Sequence, residues 1–357
     1  MLETKYVFID TQYFVKNNFN FASSSLATFK EICQRDELCY LLTSVVKKEV
    51  ERRIETSIKE ALSSLQSFRK KGNVLSTIDD SVLSQLFIDV REEDVQRKAK
   101  QAFHKYNSEC KCKDIDANYI NVEKLLQLYF DKKPPFSDGK KKFEFPDAIS
   151  LLSLEEHLRE NEKLYIVSDD GDLKSYCNNH RQFISIDSLE KLLDIYNQYT
   201  NVRTDKIKEY IEANELRIKE EISEYISTCD VYNDSTWEDS EVVKFSVSSV
   251  GDFEVNVIQV NNEECRLHID TEVELNVLVT GPDFINAVYD KEDGNVFILD
   301  FTTREEVVPL ELTCEIELTY EYENGKLTNV IIYSIDIPST YGGIDVNVEE
   351  QPEHDLY

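Results

Sequence analysis

Acids at the ends of apolar runs are the residues in this chain best suited to chemistry. Asp10 closes the run Tyr6-Val7-Phe8-Ile9 and is followed by Thr11 and Gln12. Glu49 lies one helical turn past the apolar segment around Leu41–Val46, with Glu51 as an equal candidate two positions on. Asp147 follows Pro146, where a proline favours the first turn of a helix. The cluster Ser168-Asp169-Asp170-Gly171-Asp172 closes the run KLYIVS. Carboxylates brought together without countercharge repel and raise one another's pKa. A hard divalent cation removes that cost. Mg²⁺ takes carboxylate and water oxygens, keeps its waters, and activates one of them toward a phosphodiester. Each acid also has an ordinary explanation. Asp10 can cap the next helix, Glu49 can lie on a solvated helix face, Asp147 can be a first-turn acid, and SDDGD can be a turn. Taken singly, the ordinary explanation is preferred for all but the last. Taken together, in one strand context, four acids are harder to dismiss.

The elements that would position them read as α/β. Residues 6–10, 37–46, 163–168 and 183–186 are short buried strands, and helical stretches at 24–35, 46–70, 146–160, 173–179 and 189–227 separate them. Strands alternating with helices predict a mostly parallel sheet, at whose carboxyl ends functional groups collect. Residues 80–135 are polar with helical periodicity and read as a helical insertion. The segment 134–139 reads as a loop. From residue 240 the pattern becomes strict alternation (FEVNVIQV, CRLHIDTEVELNVLVT, VVPLELTCEIELTYEY) broken by Gly-Asp, Asn-Asn and Asn-Gly turns. That predicts an antiparallel sheet, with sandwich and open barrel left undecided. The expected organisation is a domain over 1–200, a charged helical linker over 201–235, an acidic antiparallel β domain over 236–345 and an acidic tail over 346–357.

Charge divides the chain the same way. Of a total net charge of −30, residues 1–200 contribute only −3, with 30 Lys+Arg against 33 Asp+Glu; the remainder contributes −27. A half that acidic repels polyanions and suits a basic protein partner. The first half is near neutral despite its acids. Lys140, Lys141 and Lys142, with Lys132 and Lys133, flank Asp147 and are candidates for phosphate contact, against an equally weighted reading as a solvated loop. No run approaches the length of apolar residues needed to span a membrane. The N-terminus has no basic segment followed by a long apolar one. The 8 cysteines form no C-x-x-C pair and no zinc spacing. Reduced thiols in a cytoplasmic protein are the expectation.

Four blocks, YVFIDTQYF, VVKKEVERRI, FEFPDAISLL and LYIVSDDGDL, occur in the order found in the PIN-domain nucleases. The chain resembles that family over about residues 4–190, closest to the larger branch in which a helical insertion precedes the third block. The resemblance implies a PIN-like parallel-sheet fold and four ligands for Mg²⁺ or Mn²⁺, namely Asp10, Glu49, Asp147 and Asp170. Ser168, Asp172 and Thr11 become accessory positions. Asp170 is preferred to Asp169 because it keeps the Ser-x-Asp spacing. Gln12 departs from the small polar residue common there. The implied activity is metal-dependent endonucleolytic cutting of RNA, single-stranded or structured, with a weak leaning toward toxin or antiviral defence settings. A DNA nuclease of related fold, or a non-catalytic PIN-like scaffold acting through the acidic β domain, are the alternatives. A phosphatase of the haloacid dehalogenase type would want a second Asp where Gln12 stands. A homo-oligomer is compatible with all of these.

Overall fold

The computed structural model describes residues 2–136, 144–289, 296–298, 300–323 and 325–351, and these divide into two compact units, 1–196 and 197–357. In the first unit, β1 (Tyr6–Ile9), β2 (Cys39–Thr43), β3 (Lys113–Ile115), β4 (Leu164–Val167) and β5 (Phe183–Ile186) form one parallel sheet in the order β3-β2-β1-β4-β5. Helices α1 (Thr11–Lys16), α2 (Ser24–Gln34), α3 (Ser44–Lys71), α4 (Ser81–Gln85), α5 (Glu92–Glu109), α6 (Val122–Asp131), α7 (Phe145–His157) and α8 (Gly171–Asn178) connect the strands, and α9 (Leu189–Thr200) follows β5. Val7, Phe8, Ile9 and all of Leu164–Val167 are at most 2% exposed, which is why these strands read as continuous apolar runs.

The strand order decides where a site can form. From β1 the chain moves outward through β2 to β3, then returns to the other side of β1 for β4 and β5. The carboxyl ends of β1 and β4 therefore flank the switch point, where a crevice opens in such sheets. Asp10 follows β1 and Ser168 follows β4. The Asp10 amide donates to the carbonyl of Val167 at 3.0 Å, which holds the two strand ends side by side.

The insertion is not purely helical. Residues 113–115 form an edge strand in the sheet, and only Ile115 of the three is buried. An edge strand with one inward side chain has no alternation to detect.

The second unit contains α10 (Arg203–Ala213), α11 (Glu215–Ser227), β6 (Val231–Asn233), β7 (Glu241–Val260), β8 (Glu264–Pro282), β9 (Val288–Tyr289), β10 (Val296–Phe297), β11 (Phe301–Glu323), β12 (Lys326–Asp336) and β13 (Ile344–Val346). The long strands form an antiparallel sheet in the order β12-β11-β8-β7, so among the described residues the architecture is a sheet with helices on it and not a two-sheet sandwich. Ile207, Ile211, Ile218, Ile222 and Ile226 are fully buried against Leu267, Ile269, Leu275 and Ile316. This corrects the expected linker over 201–235: α10 and α11 supply one wall of the second unit's core. Their isoleucines recur at helical spacing but sit among so many charges that the segment reads as solvated. The expected tail also begins too early. Val346 pairs with Asn233 in a parallel β6–β13 pair, and Val348 is buried. Residues 352–357 lie outside the described residues.

Candidate metal centre

Three of the four acids begin helices at the carboxyl edge of the sheet, and the fourth lies one turn into α3. Asp10 caps α1: its Oδ1 accepts from the Thr11 amide at 2.6 Å, and its Oδ2 accepts from Ser168 Oγ at 3.1 Å. Ser168 Oγ in turn accepts from the Asp170 amide at 3.1 Å. Asp170 caps α8 by accepting from the amides of Asp172 (2.7 Å) and Leu173 (3.0 Å). One buried hydroxyl thus links the Asp10 carboxylate to the backbone of Asp170. Glu49 Oε2 accepts from Thr11 Oγ1 at 3.0 Å, which ties α3 to the start of α1. Asp147 lies in the first turn of α7, after Pro146. That helix is pinned to the end of β2 by a buried contact of 3.1 Å between Thr43 Oγ1 and Ser150 Oγ, one turn beyond Asp147. Thr43 and Ser150 were not singled out from sequence, since a lone Thr and a lone Ser carry no pattern.

The acids lie within reach of one another's charge. Asp10 is 6% exposed. Burial pushes its carboxyl up to about 6 against hydrogen bonds from Thr11 and Ser168, and the charges of Glu49 and Asp170 add to the rise. Asp147 is pushed up to about 8, first by burial and then by the charges of Asp10, Glu49 and Asp170. Glu49 is also raised by burial, opposed by the Thr11 hydrogen bond and by the charges of Arg53 and Arg52. The ordinary explanations for Asp10 and Asp170 are satisfied as well, because both cap helices. The neighbouring acids point elsewhere. Glu51 faces His104 on α5 at 3.3 Å, and Asp169 pairs with Lys16 of α1 at the surface.

A sequence model of the PIN domain family matches residues 7–173. This part of the chain is a PIN domain. The match ends just past Asp172 and takes in the four blocks, save Tyr6 at the start of the first, and the insertion between the second and third. No curated protein and no solved structure is a match for the chain.

The PIN domain's carboxylates fit a hard cation by their chemistry. The donor set is all oxygen, it carries mutual repulsion, and among the described residues no Lys, Arg or His forms an ion pair with Asp10, Glu49, Asp147 or Asp170. Among the described residues no three such side chains stand close enough to enclose an ion unaided. Magnesium asks for less, because it keeps several waters and takes one or two carboxylates directly.

The expected substrate contacts fare differently. Lys140, Lys141 and Lys142 lie outside the described residues. Lys133 pairs with Asp131 at 2.9 Å. Phe136 is 1% exposed and packs with Tyr129 and Phe145, so it builds core.

Proposed function

We propose that the PIN domain is a metal-dependent endonuclease acting on RNA, with Asp10, Glu49, Asp147 and Asp170 holding Mg²⁺ or Mn²⁺. The observation that carries this reading is the gathering of the acids at one edge of the sheet, tied by Thr11 and Ser168, where burial first and the charges of neighbouring acids second lift Asp10 to about 6 and Asp147 to about 8. A fold does not keep such repulsion at a sheet switch point without a use for it. When bound, the ion supplies an acidified water and counter-charge for phosphoryl oxygens. The protein's own part is orientation. Thr11 holds Glu49, Ser168 and the Thr11 amide hold Asp10, and the first turn of α8 holds Asp170. Burial and the charges of Asp10, Glu49 and Asp170 favour the protonated form of Asp147, and a bound cation would favour its carboxylate. Asp172, one residue into α8, is the accessory acid in this reading.

The test is cleavage of labelled single-stranded RNA and DNA with Mn²⁺, Mg²⁺ or EDTA, beside an Asp10→Asn/Asp170→Asn protein. Metal-dependent cutting of RNA that the variant loses supports the reading. A preference for DNA would move it to a DNA nuclease of related fold, and folded wild type that cuts neither would reduce it to a scaffold. For setting we favour toxin or antiviral defence, tested by growth arrest on expression that the same double variant abolishes. The acidic second unit is suited to a basic protein partner, tested by whether removal of residues 230–357 changes the protein's associations.

A further inference from the structure

A polyanion cannot approach four carboxylates without compensating charge, and α3 supplies it. The helix runs outward from the site for 28 residues. Arg53 lies one turn beyond Glu49, and Arg52 lies one turn beyond Lys48; with Lys59 all of these cations are exposed. At 100° per residue, Lys48, Arg52 and Lys59 fall within about 40° of one another on one stripe, and Arg53 falls about 40° to the other side of Glu49. The acids of this stretch are engaged elsewhere: Glu51 faces His104, and Glu55 pairs with Lys100 of α5. Among the described residues, Lys48, Arg52, Arg53 and Lys59 form no ion pair with an acid. The charges of Arg53 and Arg52 already reach the Glu49 carboxylate. By contrast Lys16, another cation beside the blocks, is spent on Asp169. This exposed guanidinium pair tempers the charge of Glu49 and stays open to an incoming anion, and a guanidinium fork suits phosphate oxygens.

We propose that Arg52 and Arg53, flanked by Lys48 and Lys59 on the exposed face of α3, grip the phosphodiester backbone of a single-stranded polynucleotide and position it against the carboxylate cluster. This rests on the nuclease reading for its purpose but is tested separately, by binding.

The measurement is fluorescence anisotropy of labelled single-stranded RNA and DNA oligonucleotides against full-length Asp10→Asn/Asp170→Asn protein, which binds without cutting, over a salt series. Arg52→Gln/Arg53→Gln in that background should weaken binding roughly 10-fold or more at about 0.1 M salt and lower the salt slope by about 1.4, the loss of two phosphate contacts on a single strand. Arg52→Lys/Arg53→Lys should restore the salt slope but only part of the affinity, since lysine keeps the charge and loses the fork. Lys244→Gln/Lys326→Gln, with the same charge change in the second unit, should change little. In the active protein the glutamine pair should raise KM with kcat nearly kept. Equal affinity and slope for the glutamine pair and the control would overturn the proposal, even if cleavage is normal and the nuclease reading stands. Salt-dependent binding that needs Arg52 and Arg53, with no cleavage by wild type, would keep this site and sink the nuclease reading. No binding to either polymer would overturn both.

Discussion

At the scale of single residues, the acids carry two duties that pull in opposite directions. As helix caps, Asp10 and Asp170 stabilise; as a charge cluster, they and Asp147 destabilise. Asn caps as well as Asp, so Asp→Asn separates the two duties. The sign follows from the direction of the shifts. Asp147 rises from 3.8 to about 8 on folding and Asp10 from 3.8 to about 6. Between those values the folded state holds protons that the unfolded state has released, so stability falls as pH rises through about 4 to 8 and the cost is fully present above the folded pKa. Asp147→Asn should therefore stabilise the metal-free protein at pH 8, by roughly 1–3 kcal/mol, and have little effect at pH 4. Urea melts at the two pH values check it, and a destabilised variant at pH 8 would mean that the acid is held by partners and not repelled. A divalent ion should oppose the same cost. At about 100-fold excess over its Kd, Mg²⁺ or Mn²⁺ should add about 2.7 kcal/mol at pH 8, seen as a raised Tm that Asp10→Asn/Asp170→Asn abolishes. Which acids face this cluster was only half legible in the sequence. Their order along the chain and their places after strands could be read directly. The choice between Glu49 and Glu51 could not, and that between Asp169 and Asp170 rested on the Ser-x-Asp spacing alone. Those neighbours are told apart by His104 on α5 and Lys16 on α1, which are distant or unmarked in sequence.

Elements differ in how much tertiary structure holds them. Strands β1 and β4 are buried along their length and announce themselves. Strand β3, with one inward side chain, does not. The Gly251-Asp252 pair reads as a turn, yet β7 runs straight through it with a register shift between Val250 and Phe253. A Cβ at Gly251 would meet the Glu272 carbonyl at 3.1 Å, so the glycine serves close strand approach at a bulge. The far half of α3 is the opposite case. No residue from 55 to 102 is buried, and Phe68, Val74, Ile78, Val82, Ile88 and Val90 are exposed. What holds this arm is local: Arg69 donates to the carbonyls of Leu86 (2.6 Å) and Ile88. With so little apolar burial it should open far below the free energy of global unfolding. Hydrogen exchange across 62–91 should be faster than in β1, β4 or α7, and limited proteolysis should nick first between 72 and 91. Val82→Ser should change overall stability by no more than about 0.5 kcal/mol. Strong exchange protection across the arm would show a partner or packing that these contacts do not account for.

For the whole molecule, the division of charge is a division of physics. The first 200 residues are near neutral and the rest carry −27 of the −30. In the second unit that charge is laid on a sheet whose register sets acids directly opposite one another. Glu311 faces Glu272 across β11 and β8, and Glu254 faces Asp270 across β7 and β8. Like charges directly across strands destabilise. Some of the burden is relieved by hydrogen bonds, with Thr313 and Asn256 donating to Asp270 and Ser249 donating to Glu274. No such bond joins Glu272 to Glu311, and both are exposed. Exposed repulsion of this kind is screened over about 10 Å at 0.1 M salt and about 3 Å at 1 M. The melting of the second unit should accordingly rise with NaCl from 0.05 to 0.5 M, while that of the first unit moves little, so that calorimetry in low salt separates transitions that draw together in high salt. Glu272→Lys turns the repulsive pair into an attractive one and should add a few tenths of a kcal/mol to about 1 kcal/mol at low salt, with the gain shrinking as salt is added. A gain that persists unchanged in 0.5 M NaCl would assign the effect to packing and not to charge. A second unit indifferent to salt would mean that the acids on this sheet are already compensated, and the case for a basic partner there would lose its physical ground.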